Sequence, residues 1–209
     1  MSKRTRQYIG ILAALAAYYL VHEGAHLLYA LLTGVFKQIN FMGLGVQIDV
    51  CADCMTDTQL GIFCLVGALA TFCIGYLLAA LAKNICRAQS KLLRAMLYYI
   101  TIVFLLLDPL YLSVLCGFFG GGDMNGIALL CPEWAARCLF GVLLLGNGLV
   151  FWKRVLPAYQ QSFSGQWTYR RNYEKLQKNN YDPVDCGSIV DRHLCGGPLW
   201  LEAAGLPRL

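Results

Sequence analysis

Four apolar runs organise the chain, from Tyr8 to Leu32, from Leu60 to Ala82, from Ala95 to Phe119 and, less strongly, from Trp134 to Trp152. At 1.5 Å rise per residue each run can cross the roughly 30 Å of a bilayer's hydrocarbon, so four transmembrane helices are expected. Between the first two the period changes: Val46, Ile48 and Val50 alternate with Gln47 and Asp49, and Gly43 and Gly45 mark a turn after Ile39 and Phe41. That pattern predicts a small β-hairpin, whose unpaired edge would be open to an added extended peptide. The third run is expected to be interrupted at Asp108-Pro109, because proline removes a backbone donor. The fold class expected is an all-α polytopic membrane protein with about four transmembrane helices and a hairpin between the first and second. Residues 1–155 would form one membrane-embedded domain. Residues 156–209 are rich in Tyr, Gln, Asn and Arg and read as a polar cytoplasmic tail, partly helical over 169–178.

Composition agrees with this division. Of 209 residues, 58% are hydrophobic and only 14% charged, against roughly 25% charged in a soluble domain. The first run is too long for a secretory signal and carries no small-residue cleavage site, so it is expected to remain in the mature protein. Basic residues precede the first run, occupy the second connection (Lys83, Arg87, Lys91, Arg94) and follow the fourth (Lys153, Arg154). The other connections hold mostly Asp49, Asp53, Asp57, Asp123 and Glu133. This asymmetry predicts a multi-pass protein, of the cell membrane, with both termini cytoplasmic. The net charge of +5 is dispersed among short loops and the tail, so no nucleic-acid partner is implied. Cys64, Cys73, Cys86, Cys116 and Cys138 read as packing residues, and Cys51-Ala-Asp-Cys54 as a tight loop suited to a disulfide. Cys186, His193 and Cys195 lack zinc-finger spacing.

One pentapeptide changes the picture. His22-Glu23-Gly24-Ala25-His26 places two of the three histidines, and the only glutamate of the four runs, in the middle of an apolar helix. Ionisable groups in hydrocarbon are costly and mark function by default. At a four-residue spacing both imidazoles share a helical face and can hold one Zn²⁺, with Glu23 beside them as a general base. A catalytic zinc takes three protein ligands, and two aspartates are candidates for the third. If the third helix starts near Leu92, Asp108 lies about 24 Å along it, and His22 lies about 21 Å from Tyr8, so their depths agree. Asp123 follows Gly120, Gly121 and Gly122, a run flexible enough to fold a carboxylate inward.

On these residues the chain resembles the site-2 protease family of intramembrane zinc metalloproteases. His22-Glu23-Gly24-Ala25-His26 matches that family's zinc-binding motif; Gly67-Ala68-Leu69-Ala70-Thr71 looks like a form of its Gly-Pro-x-x-Asn element; Asp123-Met124-Asn125-Gly126 is similar to its Asp-Gly motif with two residues inserted. The resemblance covers roughly the first 150 residues. It implies a zinc-dependent intramembrane endopeptidase with metal ligands His22, His26 and a later aspartate, Asp123 or Asp108, and Glu23 as catalytic residue. Partners would be a transmembrane protein or peptide substrate and membrane lipid. The competing readings are a non-proteolytic metal-binding or regulatory membrane protein, and a small proton or metal transporter.

Overall fold

A computed structural model describes residues 1–42, 45–120 and 122–163. Helix α1 (Lys3–Thr33) starts where the Ser2 hydroxyl accepts the Thr5 N–H at 3.0 Å. It stops at Gly34, whose φ of 72° lets the Gly34 and Val35 N–H groups fold back onto the carbonyls of Leu31 and Ala30. Strands β1 (Phe36–Met42) and β2 (Gly45–Val50) follow as an antiparallel pair in which Ile39 faces Ile48 and Phe41 faces Val46, with an irregularity between Phe36 and Gln38. This is the hairpin that the alternation predicts; Gly43 and Leu44 of its turn lie outside the described residues. Cys51 and Cys54 form a disulfide around a short 3₁₀ turn. Thr56 and Gln59 then exchange hydrogen bonds as a capping box at the start of α2 (Asp57–Ile85).

Helix α3 (Lys91–Leu110) begins on the Ser90 hydroxyl, continues through a π-helical turn at Tyr111–Leu115 and ends in α4 (Cys116–Phe119). The one-turn α5 (Asp123–Ile127) leads to α6 (Glu133–Val150), which passes through a second π turn into α7 (Leu156–Phe163). Four helical stretches, Lys3–Thr33, Asp57–Ile85, Lys91–Phe118 and Glu133–Phe163, are long and apolar enough to cross a membrane. Their outward faces carry Leu12, Leu20, Leu32, Leu77, Val142, Leu145 and Leu149 in the open, an apolar exterior suited to lipid. The fourth helix is longer than the apolar run from Trp134 to Trp152. It continues because Tyr159 and Ser162 are buried, Ser162 by hydrogen bonds with Arg94 and the Cys86 carbonyl. The remainder of the tail, including the helix expected over 169–178 and Cys186, His193 and Cys195, lies outside the described residues.

The interior is layered. One apolar cluster gathers Phe63, Ala68, Phe72, Leu112, Met124 and Phe140 with Ile48 of the hairpin; a second gathers Ala79, Ala82, Leu105, Val155 and Tyr159. On α3 and α6 the buried polar residues Asp108 and Asn147 fall where one cluster gives way to the other, and Thr71 of α2 lies within the first. Small residues let the helices close on this layer: a side chain at Gly75 would strike Leu105 of α3, and one at Gly61 would strike Leu130 and the Gly126 carbonyl of α5.

Contrary to the expected interruption, α3 stays helical through Asp108-Pro109. Proline at 109 has no N–H for the Leu105 carbonyl one turn earlier. The Nδ2 of Asn147 on α6 supplies the missing donor at 2.6 Å, and the Tyr76 hydroxyl of α2 donates to the Oδ1 of the same asparagine. Asn147→Ala is therefore expected to destabilise the protein by about 1–3 kcal/mol in a detergent-based unfolding assay, the usual cost of an orphaned buried carbonyl. Adding Pro109→Ala restores a backbone donor and is expected to recover part of that loss; a double variant no more stable than Asn147→Ala alone would refute the pairing.

Candidate metal centre

The centre is built on one stripe of α1. Tyr18, His22 and His26 succeed each other at four-residue intervals and therefore share a face. The Tyr18 ring stacks on His22 (centroids 5.1 Å, planes 28° apart), and His26 lies against Phe63 of α2 (4.8 Å). Both histidines are buried, at 6% and 3% exposure. Helix α2 passes them at Gly67, where a β-carbon would sit 2.5 Å from His26 Nε2 and 2.8 Å from His22 Nε2. Only glycine leaves room for the two imidazoles there. The small-residue stretch Gly67-Ala68-Leu69-Ala70-Thr71 thus packs on the histidine face of α1.

The two candidate aspartates arrive from different directions. Gly120 (φ 95°) and Gly122 (φ 41°) turn the chain so that Asp123 opens α5 beneath the histidines. Gly126 seats that short helix on α2 by packing against Cys64 and the Leu60 carbonyl. Asp123 Oδ2 then lies 3.1 Å from His22 Nε2 and 3.7 Å from His26 Nε2. Asp123 stands outside the four long helices. Burial works to raise its carboxyl, but the two imidazoles beside it outweigh that and hold it at about 2.

Asp108, 1% exposed, sits on the opposite side of His22, with Oδ1 3.4 Å from Nδ1. That approach is within ion-pair reach but is not aligned as a hydrogen bond, and the Nδ1 atoms of both histidines have no hydrogen-bond partner in the bundle. Asp108 Oδ1 accepts the Tyr18 hydroxyl at 2.5 Å and Oδ2 accepts Thr71 Oγ1. The agreement in depth between His22 and Asp108 is thus met, but the side reached is Nδ1. The two nitrogens of an imidazole point away from each other, so a carboxylate on the Nδ1 side does not share an ion with groups on the Nε2 side. Of the two aspartates, the structure gathers Asp123 with His22 and His26 and leaves Asp108 outside that group.

His22, His26 and Asp123 offer one donor atom each, all within 4.8 Å of one another. Two ligands about 2.1 Å from a tetrahedral ion lie roughly 3.4 Å apart, and the separations of 3.1 and 3.7 Å bracket that value. Two imidazole nitrogens and a carboxylate oxygen are also a donor set that zinc accepts. The residues fit a metal ion. Glu23, half-buried and one position after His22, lines a cavity of about 330 Å³ together with His26, Asp123, Ile48 of β2 and Phe63.

Tyr18, Gly67 and Thr71 were not singled out as site residues by the sequence. Tyr18 announces itself by its spacing from His22; Gly67 and Thr71 lie in the small-residue stretch, but their facing partners belong to other helices. No protein-family model matches this chain, and no characterised protein or solved structure is significantly similar to it. If the group holds a divalent metal ion, Gly67→Ala is expected to splay the imidazoles and weaken its binding on the order of 10- to 100-fold, by analogy with loss of other supporting contacts at metal sites. Chelator competition on the purified, folded protein measures it, and wild-type affinity in that variant would exclude the packing described.

Proposed function

We propose that the chain is a multi-pass membrane protein that acts as a zinc-dependent intramembrane endopeptidase, hydrolysing a peptide bond in or near a transmembrane segment of a protein substrate. The observation that carries this reading is the convergence of His22, His26 and Asp123 on one point, with the carboxylate of Glu23 beside them at the wall of the same cavity. His22, His26 and Asp123 would hold the ion. When bound, zinc supplies Lewis acidity towards a carbonyl oxygen and makes a neighbouring water easier to deprotonate near neutral pH.

The chain's own groups do the rest. Glu23 takes a proton from the attacking water as its oxygen adds to the scissile carbonyl carbon; the C–N bond then breaks, and Glu23 returns the proton to the departing amine. The cavity is half walled by apolar groups, Ile48, Val50, Leu60 and Phe63, which suits the side chains of a membrane-derived peptide. Residues Gln47 to Val50 of β2 form one wall, and among the described residues β2 pairs with β1 alone. An extended peptide laid along that strand would run past Glu23, with its backbone hydrogen bonds met by the edge. A transmembrane helix would have to unwind locally to reach this geometry, since its own hydrogen bonds shield the peptide bond.

The distribution of basic residues supports a cell-membrane orientation with both termini cytoplasmic. A metal-binding protein without hydrolytic activity has no use for Glu23, which is the residue that favours the hydrolytic reading over the others. Glu23→Gln separates the readings. It is expected to retain Zn²⁺ at wild-type affinity and to lose cleavage of a co-expressed single-span substrate by at least about 100-fold. Undiminished cleavage would dismiss Glu23 as the base, and absence of cleavage in the wild type with zinc bound would favour the non-proteolytic alternative.

A further inference from the structure

We propose that Asp108 is a positioning residue that holds the proton of His22 on Nδ1, so that the Nε2 lone pair faces His26 and Asp123. The inference rests on the metal-site reading above and assigns to Asp108 a different place in it from that of a ligand. Three observations carry it. The carboxylate is almost wholly buried and lies on the Nδ1 side of a histidine whose Nε2 faces the other aspartate. Each of its oxygens is held by a hydroxyl from a different helix, Tyr18 of α1 and Thr71 of α2. Tyr18 also stacks on the ring that Asp108 addresses, so ring and carboxylate are fixed relative to one another by the same side chain.

Proton counting gives the direction. Tyr18 and Thr71 each have a single hydroxyl proton. Thr71 is within reach of both the Ala68 carbonyl and Asp108, and the charged acceptor makes the stronger bond. With both hydroxyls donating, Asp108 is an acceptor on both oxygens. The remaining partner, His22, is the one that can carry positive charge. An anion on the Nδ1 side favours the tautomer with the proton on Nδ1 and makes Nε2 the more basic nitrogen, which strengthens its bond to a cation. Neither Nδ1 has an aligned hydrogen-bond partner, but among the described contacts only that of His22 has a carboxylate within ion-pair reach, Asp108 at 3.4 Å. The two imidazoles are therefore unequal, and Asp108 acts on His22 alone.

The experiment compares the full-length wild type with Asp108→Asn, Tyr18→Phe and Asp123→Ala in detergent. It reads Zn²⁺ affinity by chelator competition, the Co²⁺ absorption spectrum, and heteronuclear NMR of the imidazole nitrogens. The sequence has three histidines, so a His22→Asn control assigns the resonances. In the wild type, the proton on His22 Nδ1 is expected at low field. Asp108→Asn is expected to lose that shift and to weaken Zn²⁺ on the order of 10- to 100-fold, while saturating at the same stoichiometry with the same Co²⁺ spectrum. Tyr18→Phe, which leaves the carboxylate in place, is expected to do the same to a smaller extent and keeps the test decisive should Asp108→Asn not fold. Asp123→Ala is expected to alter the Co²⁺ spectrum itself.

If Asp108→Asn changes the Co²⁺ spectrum or abolishes the site as Asp123→Ala does, Asp108 is a ligand and the proposal is wrong. If affinity and the His22 resonances are unmoved, Asp108 serves packing alone and the proposal is equally wrong. Should the wild type show the low-field proton but bind neither ion, the metal reading fails, and Asp108 and His22 remain a structural pair with no ion to position.

Discussion

Polar groups inside a helical bundle with an apolar exterior can turn only to one another. In this chain that constraint falls on a handful of residues, and most of the interior follows from how they are satisfied. Asp108 collects a hydroxyl from α1 and another from α2; Asn147 joins α6 to α3 and α2 at once; His22 stands between two carboxylates. Each link crosses helices. Since apolar packing against lipid-like surroundings does not by itself tell one helix register from another, these bonds set which turn of each helix faces which.

The same layer explains the glycines. A hydrogen bond across helices requires the backbones to come close, and α2 supplies that closeness at several levels: Gly61 against α5, Gly67 against the imidazoles, Gly75 against α3. Gly67 is the most consequential, because the atoms that a side chain there would strike are the ring nitrogens of the candidate centre. Helix α3 solves the converse problem. Pro109 opens a gap in its hydrogen bonding two residues before Tyr111, and the π turn at Tyr111–Leu115 follows directly, so the helix changes its winding instead of ending. Asp108 consequently projects from an intact helix at the level of His22.

Much of this was legible in the sequence. The four apolar runs and the alternation from Val46 to Val50 determine the spans and the hairpin, because each signal is local and periodic. The pairing of His22 with His26 is local too, a consequence of helical spacing. What could not be read was which carboxylate meets which nitrogen. The depth argument placed Asp108 correctly beside His22, yet depth carries no information about rotation around the helix axis, and rotation decides between Nδ1 and Nε2. The continuity of α3 through Pro109 was hidden for a related reason, since it depends on Asn147, thirty-eight residues later by subtraction of the two positions. The extension of the last helix to Phe163 depends on burial of Tyr159 and Ser162 against residues of the second connection, again a contact between segments distant in sequence.

The incomplete pairing of the two histidines argues that the cluster is more than packing. A buried polar group that serves only stability is expected to have its hydrogen-bonding capacity met, and neighbouring groups in such clusters pair off. Here Asp108 is held by hydroxyls on both oxygens, whereas both imidazoles leave Nδ1 without a well-aligned partner and turn Nε2 towards Asp123. Two rings and a carboxylate thus converge on one point at some cost to their own pairing. Any side chain at position 67 would collide with both rings, and glycine is the residue that stands there. Convergence of this kind, held open by glycine and bordered by Glu23 and a cavity of about 330 Å³, is intelligible if the point itself is to be occupied by a cation.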